Sequence, residues 1–317
     1  MQGVILAAGQ GSRLQPITLT RSKAMVPILG KPIVERVMEH LLANGVDDFV
    51  LVISPDDRHI SRYFRHESEI EADVRFVYQH RRLGMANALQ CAAPLIDDDF
   101  ILSACDNLIS PEYVGRMMGA YRAEPAPNAV LALLPVEPER RGAVGIVEMD
   151  GPWVTRIVEK PRPDEAPSDI SSLPLYCFSR GILAYLDQVH PSPRGEYELQ
   201  DAIQMLIESE GRVRGLMAPQ RLTLTSPADL LALNCHYLLN GNDKPQLAPY
   251  TVGPNTRLFT PLRIEAGTVI GQGCTIGPNV YIERNCRIGA GVTLRDAVVL
   301  RESTVADGAT VENQVVS

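Results

Sequence analysis

The C-terminal part of this chain, after about residue 260, repeats with a period of six residues. Aliphatic side chains recur in one unbroken register, and a small or branched residue stands four places after each of them. This period fits neither a strand nor a helix and is typical of a β-helix, in which the aliphatic residue of each hexapeptide fills the inside of a coil. The first series is Ile264, Ile270, Ile276, Ile282, Ile288, Leu294 and Leu300, and the second is Thr268, Cys274, Val280, Cys286, Val292, Val298 and Thr304.

The repeats are long enough for about three coils, if each coil takes the roughly 18 residues that three hexapeptides supply. After Leu300 the aliphatic positions move by one place, to Val305 and Val311. This slip predicts an irregular last coil.

Up to about residue 240 the pattern differs, because short runs rich in valine and isoleucine alternate with segments of helical period. This alternation predicts a parallel α/β sheet. We also expect a helix between Pro32 and Gly45, a hairpin with its turn at Asp150 and Gly151, and a last helix capped by Ser226. The predicted strands are Val4–Leu6, Phe49–Ile53, Val74–Tyr78, Phe100–Ala104 and Val130–Val136.

Two domains are therefore expected in the 317 residues. Residues 1–240 form the α/β domain, and residues 241–317 comprise a linker, marked by the polar stretch "NGNDKPQ", and the β-helix. The chain is 45% hydrophobic, which suffices for two buried cores.

The composition excludes several classes of partner and site. A formal net charge of −8 argues against nucleic acid or an anionic membrane as the main partner, since phosphate groups are held by clustered lysine and arginine. The six cysteines are scattered without a CxxC pair, so neither a disulfide framework nor a zinc site is indicated. The first apolar run is too short for a signal peptide, and no run approaches the roughly 18 apolar residues of a membrane span. We expect a cytoplasmic protein.

A glycine-rich loop follows the first predicted strand. In "VILAAGQGSRL", Gly9 and Gly11 would let backbone N–H groups approach a phosphate closely, and Arg13 and Lys23 would add positive charge. A Walker A loop fits poorly because proline follows the Gly-Lys pair, and a dinucleotide fingerprint fits poorly because leucine replaces its third glycine. The residues alone leave two interpretations open, a phosphate-binding loop and an ordinary tight turn.

The segment around this loop resembles a known family signature. "LAAGQGSRLQPIT" followed by "SKAMVPILGKP" looks like the signature of the sugar-1-phosphate nucleotidylyltransferases, the pyrophosphorylases that make nucleotide sugars. Further stretches match in the family's order: "YQHRRLGMANAL" resembles its base-reading segment, "SACDN" its metal-binding strand end, and "GAVGIVEMD" with "IVEKP" its sugar-binding hairpin, while "SPRGEYELQDAI" matches a segment after the sugar site. The resemblance covers residues 1 to about 240, and many members also carry a C-terminal hexapeptide domain.

The resemblance implies a Rossmann-like, mostly parallel sheet in the nucleotidyltransferase domain and a short left-handed parallel β-helix after it. It also implies attack of a sugar 1-phosphate oxygen on the α-phosphorus of a nucleoside triphosphate, with release of pyrophosphate. Such a transfer needs charge stabilisation and alignment more than a covalent catalyst. We favour dTTP or UTP with glucose 1-phosphate, while another nucleotide or sugar phosphate stays open.

The resemblance also assigns roles to single residues. The implied catalytic residues are Arg13, Lys23, Asp106 and Lys160, with Asp106 as the ligand of Mg²⁺. The implied nucleotide-binding residues are Ala8, Gly9, Gly11, Gln79 and Gly84. The implied sugar-phosphate-binding residues are Asn107, Gly145, Glu159 and Lys160.

Several of these residues have an equally plain structural interpretation. Asp106 follows a strand and could cap a helix or form an Asx turn, and Gln79 taken alone would be a surface residue. Glu159 and Lys160 are adjacent, so in an ideal strand their side chains point to opposite faces. Both can serve one ligand only if the hairpin twists or ends there, as Pro161 suggests. A solvated helix start explains the acidic residues of "GEYELQDAI" almost as well as a site does.

One departure from the family's pattern concerns the metal. Many members carry a Trp-x-Asp-x-Gly motif near the end of the catalytic domain, whose aspartate is a second metal ligand. Here "QRLTLTSPADL" has Thr223 in that place, and a hydroxyl does not replace the charge of a carboxylate. Two interpretations stay open: an enzyme whose Mg²⁺ is held by Asp106 and substrate phosphates, which the retained cations favour, and a regulatory paralogue without activity.

Hexapeptide repeats also occur in acyltransferases, which generally need a histidine base. The last histidine of this chain is His236, ahead of the repeats. We therefore expect the repeat domain to serve assembly or regulation, and the chain to form a homo-oligomer through it.

Overall fold

The computed structural model describes residues 1–162, 164–240 and 249–317. They form two compact units, which we call the first unit (Met1–Gly9 and Val34–Leu222) and the second unit (Gln10–Ile33 and Thr223–Ser317). Most of the signature segment thus belongs to the same unit as the repeats. The predicted linker, beyond its first residue, lies outside the described residues, and the domain boundary at residue 240 stays a prediction.

The elements are numbered in chain order. The strands before residue 240 are β1 (Gln2–Leu6), β2 (Pro27–Ile28), β3 (Lys31–Pro32), β4 (Asp48–Ile53), β5 (Asp73–Tyr78), β6 (Phe100–Ala104), β7 (Asn107–Leu108), β8 (Ala129–Pro135), β9 (Gly145–Asp150), β10 (Trp153–Glu159), β11 (Ile170–Phe178), β12 (Val213–Met217) and β13 (Leu222–Thr223). The helices are α1 (Ile33–Leu42), α2 (Arg58–His66), α3 (Met85–Ala92), α4 (Pro111–Tyr121), α5 (Leu199–Ser209) and α6 (Pro227–Asn240). The strands after residue 249 are β14 (Thr251–Val252), β15 (Arg257–Leu258), β16 (Leu262–Ile264), β17 (Val269–Ile270), β18 (Thr275–Ile276), β19 (Val280–Ile282), β20 (Arg287–Ile288), β21 (Thr293–Val299), β22 (Thr304–Val305) and β23 (Thr310–Val316).

A nine-stranded sheet in the order β5-β4-β1-β6-β11-β8-β12-β10-β9 organises the first unit. Strands β5, β4, β1 and β6 are parallel, and β12 is parallel to β8. Strand β11 runs antiparallel to both β6 and β8, so β8 and β12 point the same way as β1. The sheet is therefore mixed, although most of its strands point the same way, and the predicted hairpin supplies its last two strands.

The five predicted strands correspond to β1, β4, β5, β6 and β8, with ends that differ by at most two residues. They are rich in branched aliphatic residues because the central strands bury both faces, as in β4, where Val50, Leu51 and Val52 are fully buried. Helices α3 and α5 contribute Leu89 and Ile203 to the same core. The prediction of an α/β domain is confirmed.

Local signals at helix ends and turns are confirmed as well. Helix α1 lies between Pro32 and Gly45, whose φ is +80°, and Gly151 supplies a φ of +56° in the hairpin turn. At the start of α6, the Asp229 backbone N–H donates to Ser226 Oγ at 3.3 Å, and the Ser226 N–H donates to Asp229 Oδ2 at 2.8 Å. These reciprocal bonds satisfy backbone donors that a helix start leaves unpaired.

In the second unit, the strands after residue 249 stack in parallel. Thr251 pairs with Val269 and Val269 with Arg287, and Arg257 pairs with Thr275 and Thr275 with Thr293, each step being 18 residues. The predicted aliphatic series is buried throughout. The 18-residue spacing agrees with the hexapeptide period, whereas the left hand of the coil stays a prediction.

The register slip occurs earlier than predicted. Within β21 the spacing is 18 residues at Leu294, which pairs with Ile276, but 17 at Ala297 and Val299, which pair with Val280 and Ile282. Ala297 and Val299 therefore join the apolar cluster of the repeats in the positions predicted for Val298 and Leu300. Thr304 is exposed, and Val305 takes the buried position as expected. The prediction of a slip after Leu300 is wrong by one hexapeptide: the slip comes after Leu294, where two residues, Arg295 and Asp296, take the place of residues 277–279 in the preceding coil.

A buried ion pair ties the signature segment to the repeats inside the second unit. Both terminal oxygens of Glu283 accept hydrogen bonds from Arg21 Nη1, at 3.0 and 2.9 Å, and both side chains are buried. Glu283 Oε2 also accepts from the Arg301 backbone N–H at 2.8 Å. Nearby, the Leu29 N–H donates to Asn234 Oδ1 at 3.0 Å. These polar contacts fix segment 10–33 against strand β19 and helix α6.

All six cysteines are free. Among the described residues, no helix combines the length and the apolar composition needed to cross a membrane.

The Arg21–Glu283 pair predicts a large stability effect. We expect Glu283→Ala to lower the free energy of unfolding by about 3–5 kcal/mol, because it leaves a buried guanidinium without its counter-charge. Urea denaturation followed by circular dichroism measures this. The control is Glu67→Ala, whose 3.9 Å pair with Arg62 is exposed, and which should cost less than about 1 kcal/mol. Equal losses in both variants would contradict the prediction.

Candidate functional site

Four chemistry-bearing residues of the first unit follow strands that point the same way. Gly9 follows β1, Gln79 follows β5, Asp106 follows β6 and Arg221 follows β12. The carboxyl ends of parallel strands lie at one edge of a sheet, which is where open α/β sheets bind ligands. The sheet therefore brings together backbone, amide, carboxylate and guanidinium groups at its carboxyl edge.

Strand β11 extends this edge towards the hairpin. Its Leu175 pairs with Ser103 near the end of β6, and three residues earlier its Ser172 pairs with Gly145 at the start of β9. Asn107 Nδ2 lies 3.5 Å from the carbonyl oxygen of Pro174, between these two points. The predicted sugar-phosphate residues Asn107 and Gly145 therefore border the same stretch of β11.

The hairpin brings Glu159 and Lys160 to one face. Strand β10 ends at Glu159, which pairs with Gly145, and Lys160 has a φ of +45°, so the alternation of an ideal strand stops there. Lys160 Nζ consequently lies 3.3 Å from Glu159 Oε1. A Cβ atom on Gly145 would lie 2.9 Å from Glu159 Oε2 and 3.3 Å from Gln200 Nε2, so glycine keeps this carboxylate in place.

Three residues at this edge each have a buried polar atom without a hydrogen-bond partner among the described residues, as do four residues elsewhere. Asn107 Oδ1, Glu159 Oε2 and Arg221 Nε are all shielded from solvent and unpartnered among the described residues. Buried polar groups are nearly always satisfied in folded proteins, because an unmade bond costs about 1–3 kcal/mol. At this edge, Asn107 and Glu159 thus offer two unpaired acceptors to a polar ligand, and Arg221 offers one unpaired donor.

Burial raises the pKa of the Glu159 carboxyl; the Lys160 ammonium opposes this rise, and the charge of Glu198 adds to it. Glu198 itself accepts hydrogen bonds from Ser192 Oγ at 2.9 Å and Arg194 Nη2 at 2.7 Å. Burial, followed by the charge of Glu198, also raises the pKa of Asp201. Glu198 is thus buried and charge-paired, and the alternative of a solvated helix start is wrong for this residue.

Gln79 and Gly84 have structural roles of their own. Gln79 is buried, not a surface residue, and its Nε2 donates to the Gly84 carbonyl at 3.1 Å and to Asn87 Oδ1 at 3.0 Å. Gly84 has a φ of +100°, and a Cβ atom there would lie 2.5 Å from the Tyr197 carbonyl oxygen. The close approach of two backbones explains this glycine without any ligand, so a base-reading role stays a prediction.

At the end of β1, a residue that sequence reasoning missed supports Ala8. Arg82 Nε donates to the Ala8 carbonyl at 2.8 Å, and its Nη2 donates to Ser54 Oγ at 3.0 Å. A Cβ atom on Gly9 would meet no atom of the described residues within 4 Å, so these residues give no steric reason for glycine there. Space for a ligand against bare backbone is a reason that remains.

The other loop residues lie together within the second unit. Gly11, with a φ of +63°, starts a short 3-10 turn that carries Arg13, which is exposed. A Cβ atom on Gly11 would lie 2.9 Å from Lys23 Cβ, and Thr18 Oγ1 donates to the Gly11 carbonyl at 2.9 Å. The left-handed glycine thus lets the two predicted phosphate ligands, Arg13 and Lys23, belong to one folded loop.

The residues present limit what metal could be held. No group of three or more histidine, cysteine, aspartate or glutamate side chains is placed around a common point in the part of the chain that the structure describes. Asp106 is buried at the carboxyl edge and offers hard oxygen ligands. Mg²⁺ is often held by one or two carboxylates together with substrate phosphates and water. This donor set therefore fits Mg²⁺ only in company with substrate oxygens.

Comparison with protein families matches both parts of the chain. Residues 2–221 match the family described as Nucleotidyl transferase. Residues 258–317 match the family described as GMPPB C-terminal domain.

Individual relatives give the same picture. A "Low-salt glycan biosynthesis nucleotidyltransferase Agl11" from Haloferax volcanii is 34% identical over 66% of this chain, which spans 57% of that protein. A "Glucose-1-phosphate thymidylyltransferase" from Streptomyces antibioticus is 28% identical over 100% of this chain and 92% of its own length. The solved structure "UTP-bound UGPase" from Acinetobacter baumannii is 25% identical over 78% of this chain and 95% of its own, with a TM-score of 0.67. The chain thus spans little more than half of the first of these relatives.

The raised pKa of Glu159 predicts a pH-dependent stability effect. Because the folded state holds this proton more tightly than the unfolded state, stability falls as the pH rises from the ordinary value of 4.5 through the raised pKa. We expect Glu159→Gln to raise the melting temperature at pH 8, and to leave it nearly unchanged at pH 4. Differential scanning calorimetry at both pH values measures this, with Glu148→Gln, on the exposed face of β9, as the control. A lower melting temperature of Glu159→Gln at pH 8 would contradict the prediction.

Proposed function

Because the chain belongs to the nucleotidyl transferase family, we propose that it transfers a nucleotidyl group from a nucleoside triphosphate to a sugar 1-phosphate. The products are a nucleotide sugar and pyrophosphate. The observation that carries the proposal is the set of unpartnered buried atoms of Asn107, Glu159 and Arg221 beside the carboxyl edge of the sheet. Acceptors for hydroxyl groups next to donors for anionic oxygens suit a sugar phosphate.

The nucleotide is dTTP or UTP, and the sugar phosphate is glucose 1-phosphate. This choice rests on relatives whose names state a glucose-1-phosphate thymidylyltransferase and a UTP-bound UGPase. It also rests on the resemblance of the segment around Gln79 and Gly84 to thymidylyl- and uridylyl-transferring members.

In the reaction, a phosphate oxygen of the sugar 1-phosphate attacks the α-phosphorus, and the bond between the α- and β-phosphates breaks. The backbone at Ala8, Gly9 and Gly11 binds the triphosphate, while Arg13 and Lys23 stabilise the charge that develops on its oxygens. Positioning by fixed donors lowers the barrier because the donors need no reorganisation when the charge moves.

The acceptor is held by the hairpin and the end of β6. Glu159 and Asn107 accept hydrogen bonds from sugar hydroxyls, Gly145 lets the ring pack against backbone, and Lys160 binds the sugar phosphate. The 3.3 Å contact between Lys160 Nζ and Glu159 Oε1 keeps the cation beside the hydroxyl-binding carboxylate. Asp106 is the carboxylate for Mg²⁺, which would neutralise charge on the α-phosphate when bound.

The stacked strands of the second unit form the coils of a left-handed β-helix and mediate a homo-oligomer. Parallel strands at 18-residue spacing support the first part of this proposal. Flat edges of such a stack pair readily with a second copy. Free cysteines fit the reducing conditions of the cytoplasm, where we place the protein.

A regulatory paralogue that binds nucleotide sugar without turnover is the second candidate. Thr223 favours it, because the carboxylate of a second metal ligand is missing from the sequence at this point. The cations and Asp106 favour the enzyme.

Pyrophosphate release tests the proposal. The full chain is assayed with Mg²⁺ across five nucleoside triphosphates and several sugar 1-phosphates. Release that requires both substrates is expected, and it names the base and the sugar together. If no combination of substrates releases pyrophosphate, and a nucleotide sugar still raises the melting temperature, the proposed enzymatic activity is wrong and the regulatory paralogue is supported.

Lys23→Ala tests the developing-charge role. We expect kcat to fall by about 10²-fold or more, because a fixed cation near the reacting phosphate is worth that much. Steady-state kinetics measure it, with Arg58→Ala, an exposed residue at the start of α2, as the control. An unchanged rate in Lys23→Ala would remove this role.

A further inference from the structure

Arg221 has no role in the predicted site, although its position resembles that of the site residues. It lies four residues after the end of β12, which is parallel to β8 and points the same way as β1 and β6. Its backbone therefore leaves the sheet at the same edge as Gly9 and Asp106. In the sequence it stands two places before Thr223, where the family's motif has tryptophan.

The guanidinium is in an unusual physical state. Its Nε is fully shielded from solvent and has no hydrogen-bond partner among the described residues. The residue as a whole is partly exposed, so the shielded part is the Nε–H, and a buried donor left without an acceptor costs about 1–3 kcal/mol in the free protein. Burial lowers the pKa of Arg221, and the negative charge of Asp106 acts in the opposite direction.

The neighbours of Arg221 connect it to the predicted sugar-phosphate site. Besides Asp106, Arg221 interacts electrostatically with the buried hydroxyl of Tyr176. The charge of Glu159 acts on the same hydroxyl. Tyr176 is held by Ser172 at 2.9 Å, and Ser172 pairs with Gly145. Asp106 is thus the acidic group whose charge acts on this arginine, with Arg140 as a further cation nearby.

We propose that Arg221 is a substrate-binding residue whose guanidinium donates to a phosphate oxygen at the carboxyl edge of the sheet. A phosphate supplies the anionic acceptor that the shielded Nε lacks, and guanidinium and phosphate groups match in geometry. The phosphate belongs either to the sugar 1-phosphate or to the nucleoside triphosphate. This inference rests on the proposed function for the identity of its ligand.

Two measurements on Arg221 variants, melting temperature and ligand affinity, distinguish a ligand-binding role from a purely structural one. A side chain that only supports the fold stabilises the free protein, so its loss lowers the melting temperature. A shielded donor that lacks an acceptor until a ligand binds does the reverse: its loss removes an unmade hydrogen bond from the free protein and removes affinity from the complex.

The test compares the full-length protein with Arg221→Gln, Arg221→Lys and the control Arg214→Gln, a half-buried residue of the preceding strand β12. Isothermal titration calorimetry measures the affinity for glucose 1-phosphate and for UTP in separate arms, each with Mg²⁺ and with EDTA. Calorimetric melting of the unliganded proteins runs in parallel.

We expect Arg221→Gln to lower the affinity for glucose 1-phosphate, for UTP or for both by tenfold or more. The melting temperature of the unliganded variant should equal or exceed that of the wild type. Arg221→Lys should retain part of the affinity, and Arg214→Gln all of it. The arm that loses affinity names the phosphate. Affinities within twofold of the wild type in both arms, or a lowered melting temperature, would overturn the inference. A wild-type protein that binds neither compound would instead overturn the proposed function, and the inference with it.

Discussion

The arrangement of the site depends on the interrupted hydrogen-bond ladder of strand β11. Pro174 has no N–H to donate, and the register of β11 against β8 shifts between Ser172 and Tyr176, on either side of this proline. Before the shift β11 pairs with β9, and after it β11 pairs with β6. One strand therefore aligns the end of β6 with the start of the hairpin. The freed carbonyl of Pro174 is the group that Asn107 Nδ2 approaches.

Electrostatics explains why this edge is costly for the free protein and useful for binding. Glu159 is a carboxylate held where burial favours its neutral form, and the Nε of Arg221 finds no hydrogen-bond partner in the part of the chain that the structure describes. Each residue therefore carries one buried polar atom whose hydrogen bond a ligand would complete. Preorganised charges of this kind give up stability in exchange for ligand affinity.

Sequence periodicity predicted the elements well because their causes are local. Apolar runs, the Ser226 and Asp229 capping pair, and the Asp150-Gly151 turn all act within a few residues, and the hexapeptide series follows from stacking at a fixed spacing. Other features depend on residues far apart in the chain. Sequence periodicity does not predict the antiparallel direction of β11, the hydrogen bond from Arg82 to Ala8 or the burial of Gln79. The early slip after Leu294 was hidden because Val298 and Leu300 are themselves aliphatic and buried.

The segment from Arg221 to Thr223 shows how a departure from a motif can be read as chemistry. Relative to Trp-x-Asp-x-Gly, this chain gains one positive charge at the tryptophan position and loses one negative charge at the aspartate position, a change of two units in the same direction. A site designed around two metal-binding carboxylates balances substrate phosphates with metal. A site with one carboxylate and an additional guanidinium balances part of the same charge with its own chain, and this change follows from the physical requirement that phosphate oxygens meet positive charge.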